Sequence, residues 1–140
     1  MDFEILATER LNLRKITPEV YTYVFENYAE KEIKEFFGFA AEEAFNKELK
    51  KYKEGVSTFN RKFLYFQLID KLTPKVIGWC GFHTWYIYHY RAEIGYVLED
   101  DNYKGKGIMT EAVKAIIDYG FSKMDLNRIE AFVGQTIFLH

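Results

Sequence analysis

The segment from Arg91 to Val133 admits few folds. It opens on RAEIGYVL, in which Ala92, Ile94, Tyr96 and Leu98 share one face and Glu93, Gly95 and Val97 the other, so a strand is predicted over Arg91–Leu98. It closes on NRIEAFV, a second strand over Asn127–Val133. Between them, Asp101 to Phe121 reads DNYKGKGIMTEAVKAIIDYGF, where the period changes to 3.6. Ile108, Met109, Ala112, Val113, Ile116, Ile117 and Phe121 fall on one side of that helix, and Glu111, Lys114 and Asp118 on the other. Strand, helix and strand in this order form a crossover, which makes the two strands parallel and the connection right-handed. A ligand of such a unit lies at the carboxyl end of the first strand, beside the helix start.

The helix entrance sharpens this. Gly105 and Gly107 carry no Cβ, so the backbone there can take φ > 0 and let a bulky ligand approach main-chain N–H groups. Amides from Lys104 to Met109 would then converge at the positive end of the helix, an anion site. Two alternate glycines ahead of a helix also suit a plain tight connection, and the pair alone does not decide between the two. Other phosphate loops fit worse: Lys106 is followed by glycine rather than the Ser or Thr of G-x-x-x-x-G-K-[ST], and no third glycine completes G-x-G-x-x-G.

The remainder of the chain supplies a scaffold. Leu11 and Leu13 alternate with Asn12 and Arg14 as a short strand. Thr17-Pro18 reads as an N-cap and first helical residue, opening a helix through Val20, Val24, Phe25 and Tyr28. A second helix spans Lys31–Phe37 and stops at Gly38; a third, more charged, spans Ala40–Lys53 and stops near Gly55. From Phe63 the period becomes two. Phe63–Ile69, a turn at Asp70–Pro74 and Val76–Trp85 form an antiparallel hairpin. Gly78 and Gly81 inside that second strand point to a bulge, to close approach by something packed against it, or merely to twist. Tyr86–Tyr90 is expected to be an aromatic loop.

The 140 residues are expected to form one domain over residues 1–140, and the density of aromatics, 13 Phe, 11 Tyr and 2 Trp, is that of a chain able to build a core. A net charge of −2 gives no electrostatic reason for nucleic acid or an anionic membrane as partner. The start MDFEILATER lacks the layout of a signal peptide, so a cytoplasmic protein is expected. The single cysteine, Cys80, cannot form an internal disulfide, and inside an apolar strand it reads as core rather than nucleophile. His83, His89 and His140 show no ligand spacing, and no metal is expected.

Five blocks, in order, resemble a known family. TERLNLRKIT at Thr8–Thr17, IGWCGFH at Ile77–His83, RAEIGYVL at Arg91–Leu98, NYKGKGIMTEA at Asn102–Ala112 and NRIEAFV at Asn127–Val133 are similar to the GNAT superfamily of acetyl-CoA-dependent N-acetyltransferases, in its ribosomal-protein N-acetyltransferase-like branch. The resemblance implies an α+β fold, an antiparallel sheet with a parallel, splayed strand pair around a central helix. It implies that main-chain groups at Tyr96, Val97 and Leu98 bind the pantetheine arm of acetyl-CoA, and that Lys104, Gly105, Lys106, Gly107, Ile108 and Met109 hold its pyrophosphate. Phe37, Gly38 and His83 would lie on the acceptor side.

The implied chemistry is attack of a neutral amine on a thioester. An α-amino group has a reference pKa of about 8 and lysine about 10.4, so the acceptor must lose a proton, and a carboxylate is a suitable base. Glu93, on the strand beside the thioester, is the candidate; a paired or solvated strand glutamate is the alternative. The acceptor would be a protein N-terminus or a small amine. In the family the strand at Asn127–Val133 is usually followed by a turn, another helix and two strands, whereas this sequence runs GQTIFLH. The resemblance therefore implies a C-terminally truncated fold whose last strand lacks neighbours, with a homodimer through the exposed C-terminal strand as the expected remedy. A non-catalytic acyl-CoA-binding or regulatory module of the same fold, or a remnant that binds only other chains, remains open at this point.

Overall fold

The computed structural model describes residues 2–39, 41–54, 63–132 and 136–139. Among these residues seven strands form one sheet in chain order: β1 (Ile5–Ala7), β2 (Leu11–Ile16), β3 (Leu64–Asp70), β4 (Val76–Tyr86), β5 (Arg91–Leu98), β6 (Arg128–Phe132) and β7 (Thr136–Leu139). All neighbours are antiparallel except β5 and β6. That pair is parallel because a helix joins it. The helices are α1 (Pro18–Asn27), α2 (Glu30–Phe37), α3 (Glu42–Lys53) and the crossover helix α4 (Ile108–Lys123).

Strand alternation divides the core in two. On one face Leu11, Leu13, Phe66, Phe82 and Ile94 pack with Ile108, Ala112 and Ile116 of α4. On the other, Ile16 packs with Tyr21, Val24, Ile33, Phe36, Phe37 and Phe45 of α1, α2 and α3. Each of the large aliphatic and phenylalanine side chains among these contributes about 1.5–3 kcal/mol when fully buried, so both helix layers are fastened to the sheet mainly by apolar burial.

Local signals hold where they are strong. The Thr17 hydroxyl accepts the Val20 N–H at 3.3 Å, with Pro18 as first helical residue. Gly38 ends α2 in the left-handed region, at φ +74°. Several expectations need correction. β1 was not expected; three residues are too few to display a period, and it exists because its register is dictated by β2. The third helix begins at Glu42 rather than Ala40; Ala40 and Gly55 lie outside the described residues. Tyr86 ends β4, and Ile87–His89 forms a 3₁₀ turn in place of an irregular loop.

The largest correction concerns the carboxyl-terminal side. The strand at Asn127–Val133 does not lack a neighbour: β7 pairs antiparallel with β6, from Ile129↔Leu139 to Phe132↔Thr136. The outer edge thus passes to β7. In β4 both glycines answer to neighbouring backbone. A Cβ on Gly81 would stand 2.2 Å from Tyr65 Cα, and one on Gly78 would stand 2.3 Å from the Val97 oxygen. The sheet is also irregular here, with register shifts at Leu68/Ile69 and at Phe82/Thr84.

Candidate active site

The loop before α4 begins with a 3₁₀ turn at Asp101–Tyr103 and continues through two left-handed glycines, Gly105 at φ +75° and Gly107 at φ +74°. A side chain at either position would be strained, so the glycines answer a conformational need. The Lys104 N–H does not join the converging amides, because it donates to Asp101 O at 3.2 Å. Among the described residues, the N–H groups of Gly105, Lys106, Gly107, Ile108 and Met109 make no well-aligned backbone hydrogen bond of the kind that holds the Lys104 N–H. The Lys104 ammonium is likewise engaged, 2.6 Å from Asp101 Oδ1.

Contacts from distant chain segments hold this loop. Tyr103 donates its hydroxyl to Asp70 Oδ2 at 2.5 Å, and Lys75 pairs with Asp100 at 2.8 Å. Arg10 donates from Nη1 to Lys106 O at 2.9 Å, and from Nε to Glu111 Oε1 at 2.8 Å. Glu111 Oε2 accepts the Arg10 N–H at 2.8 Å and the Thr8 hydroxyl at 2.6 Å. The periodicity assigned Glu111 to the solvent side of the helix; its side chain is only 16% exposed. Burial pushes the Glu111 carboxyl up, but the donors from Thr8 and Arg10 outweigh it and hold the group below its ordinary value. Hydrogen bonding lowers two nearby carboxyls as well, chiefly from Tyr103 at Asp70 and from Lys75 at Asp100.

Beside the loop the sheet opens. Pairing of β5 with β6 runs from Arg91↔Arg128 to Ile94↔Ala131 and no further among the described residues, whereas β5 pairs with β4 as far as Leu98. Because the Glu99 N–H donates to Ile77 O at 2.8 Å, strand alternation turns Val97 toward β4. The main-chain N–H and C=O of Tyr96 and Leu98 therefore point away from β4, to the side on which pairing with β6 goes no further among the described residues. Of the three predicted residues, two present backbone there and Val97 does not. Tyr96 and Val97 are large apolar side chains left exposed at this opening.

The register shift in β4 acts on the two predicted side chains of the chemistry. Phe82 pairs with Ile94 and Thr84 with Glu93, leaving His83 as the extra residue of a bulge. Its ring covers Gly95, where a Cβ would stand 2.8 Å from His83 Cδ2, and its Nδ1 lies 3.9 Å from Glu93 Oε2. His83 also lines a cavity of about 470 Å³ on the face covered by α1 to α3. Tyr21, Phe37, Phe39, Phe63, Tyr65 and Trp79 form its aromatic wall; Glu48, Glu54, Glu99 and Lys51 add charge.

Phe37 and His83 are thus brought to one cavity, and Gly38 is not. It lines a separate hollow with Arg14, Phe36 and Val76, because the left-handed cap turns it against Val76, whose Cβ would be 2.9 Å from a Cβ at Gly38. Arg14 and Gln67 both donate to Phe36 O, at 2.8 and 2.9 Å, and Arg14 Nε donates to Gln67 Oε1 at 2.7 Å. This network fixes the end of α2 and with it Phe37. Sequence reasoning missed Tyr65, Trp79, Arg14, Gln67, Arg10 and Glu111 as parts of the site. Arg10 and Arg14 fall in the block Thr8–Thr17, Trp79 in Ile77–His83 and Glu111 in Asn102–Ala112, but nothing in spacing pairs Arg10 with Glu111.

Cys80 is fully buried, and burial pushes its thiol up to about 12, so it is no thiolate nucleophile. Among the described residues, no group of three or more His, Cys, Asp and Glu could hold a metal ion, and no helix is long and apolar enough to cross a membrane.

A model of the acetyltransferase (GNAT) domain matches residues 10–136. The uncharacterized N-acetyltransferase p20 of Bacillus licheniformis is 36% identical over 135 residues, which is 93% of this chain and 73% of that one. A GNAT-family acetyltransferase structure from Bacillus anthracis superposes with a TM-score of 0.55 at 27% identity, covering 91% of this chain and 72% of the other. Mutant forms of the spermidine/spermine N-acetyltransferase SpeG from Vibrio cholerae superpose with a TM-score of 0.59 at 17% identity, over 90% and 71% of the chains, a likeness of fold.

Proposed function

The chain belongs to the GNAT family of N-acetyltransferases, and we propose that it moves the acetyl group of acetyl-CoA to a primary amine by direct attack, with Glu93 as general base. The observation that carries this reading is the loop of left-handed glycines at the start of α4, which follows β5 in the chain. The amides at Gly105–Met109 suit a diphosphate, and the open backbone of Tyr96 and Leu98 suits the amides of a pantetheine arm. Glu93 and His83 stand next along β5 and β4, with the aromatic cavity behind them. Use of acetyl-CoA follows from the family.

In the reaction the amine nitrogen bonds to the thioester carbon, the C–S bond breaks, and the thiolate of CoA leaves. Glu93, directly or through a water, takes the proton that the nitrogen sheds. His83, 3.9 Å from Glu93, borders the acceptor's approach. Backbone N–H on β5 is available to the developing oxyanion. Three carboxylates against one ammonium around the cavity favour an acceptor that carries positive charge, such as a protein N-terminus or a small polyamine.

The test is thiol release from acetyl-CoA across a panel of amines, with CoA binding followed by calorimetry. Glu93→Gln is expected to lower kcat/KM by about 10²–10⁴, the usual contribution of a general base, while CoA still binds. An unchanged rate removes Glu93 from the mechanism. Binding without acceleration by any amine removes the enzyme reading.

A further inference from the structure

We propose that Arg10 is a positioning residue of the diphosphate grip, setting the direction of the Gly107 N–H by holding the carbonyl of the same peptide. The inference rests on the reading above that the loop from Gly105 to Met109 takes the diphosphate of acetyl-CoA.

The geometry is that of one peptide plane. No peptide among the described residues is cis, so the Lys106 C=O and the Gly107 N–H point in opposite directions. Arg10 Nη1 donates to that carbonyl at 2.9 Å, and the Gly107 N–H is thereby aimed away from Arg10. Gly107, on the amide side of this plane, takes either sign of φ and so restrains its rotation little. Something outside the loop must stop it, and Arg10 does so.

Arg10 is itself immobilised. Glu111 receives its Nε and its backbone N–H, both at 2.8 Å, and the Glu111 N–H returns to Gly107 O at 3.1 Å. The bonds form a closed circuit from Arg10 through Lys106, Gly107 and Glu111 back to Arg10. It has a second effect. A carboxylate in the first turn of α4 would repel a diphosphate bound there, and Arg10 with Thr8 occupies both oxygens of Glu111 with donors.

The experiment compares two probes by displacement of a fluorescent CoA analogue: CoA itself, and S-acetylpantetheine, which lacks the diphosphate. The readout is the ratio of their inhibition constants. Arg10→Ala is expected to reduce the preference for CoA about tenfold, the scale of one charge-assisted hydrogen bond. Arg10→Lys is expected to reduce it similarly, because an ammonium keeps the charge but lacks the planar fork that spans Lys106 and Glu111. Should Arg10→Ala fail to fold, Arg10→Lys carries the test alone. General structural damage would weaken both probes together and leave the ratio at its wild-type value, and that result overturns the proposal. So does full retention of the ratio by Arg10→Lys. A wild-type protein with no preference for CoA would instead sink the reading of the loop as a diphosphate site.

Discussion

Replacing Gly81 by alanine tests the fit of the two central strands. The new methyl carbon would stand 2.2 Å from Tyr65 Cα, 2.5 Å from Tyr65 Cβ and 2.7 Å from Leu64 O. Carbon atoms in contact sit about 3.5–4.0 Å apart, so β3 and β4 would have to part by more than about 1 Å at the Tyr65↔Gly81 pair. Overpacking ordinarily costs about 1–3 kcal/mol, relieved by side-chain rotation. Here the obstacles are backbone and a Cβ, which no rotamer moves, and the expected cost is about 3 kcal/mol. For a chain of this size that lowers Tm by about 6–12 °C. Gly105→Ala is the control: its Cβ meets nothing within 4 Å, so only the strain of φ +75° remains, about 1–2 kcal/mol. Urea denaturation of both variants, read at constant m-value, separates steric conflict from backbone strain. A Gly81→Ala cost no larger than that of Gly105→Ala would refute the packing argument.

Two further expectations concern titration. Glu111 is held below its ordinary value, so its stabilising contribution is complete above the unfolded-state value of about 4.3 and is lost as pH falls through the folded one. Glu111→Gln should therefore lose stability at pH 7 and show a shallower decline below pH ~4 than wild type, measured by urea midpoints across pH; an identical acid slope would show the carboxyl to be unperturbed. Cys80, with its thiol pushed up to about 12 and no exposed surface, should resist thiol reagents in the native protein and react once urea unfolds it; rapid native modification would contradict its burial.

What was legible in advance was local. The 3.6-residue period from Ile108 to Phe121 reflects one buried face and the helix appears with it inward, whereas the two-residue period of Arg91–Leu98 holds for Ala92 and Ile94, which are buried, and fails at Tyr96, which is exposed. The Thr17 cap and the Gly38 stop also operate within a few residues of chain. Glu111 was misread because periodicity knows only its own helix; the segment Thr8–Arg10, which covers it, is about a hundred residues away. His83 and Glu93 were named separately, but their approach depends on one extra residue in β4, and a bulge leaves no mark in the alternation of either strand.

From the amino-acid order alone came the crossover unit, the glycines that free a backbone to turn its amides outward, and the family kinship carried by five short blocks. These rest on covalent geometry and on periods that repeat within a single element. The aromatic cavity assembled from α1, α2, α3, β3 and β4, the opening of β5 from β6 after Ile94, the pairing of β7 and the grip of Arg10 on Lys106 were decided by tertiary structure. Each depends on where one element ends against another, and a hydrogen bond between residues far apart in the chain is specified only when the sheet register brings them within reach.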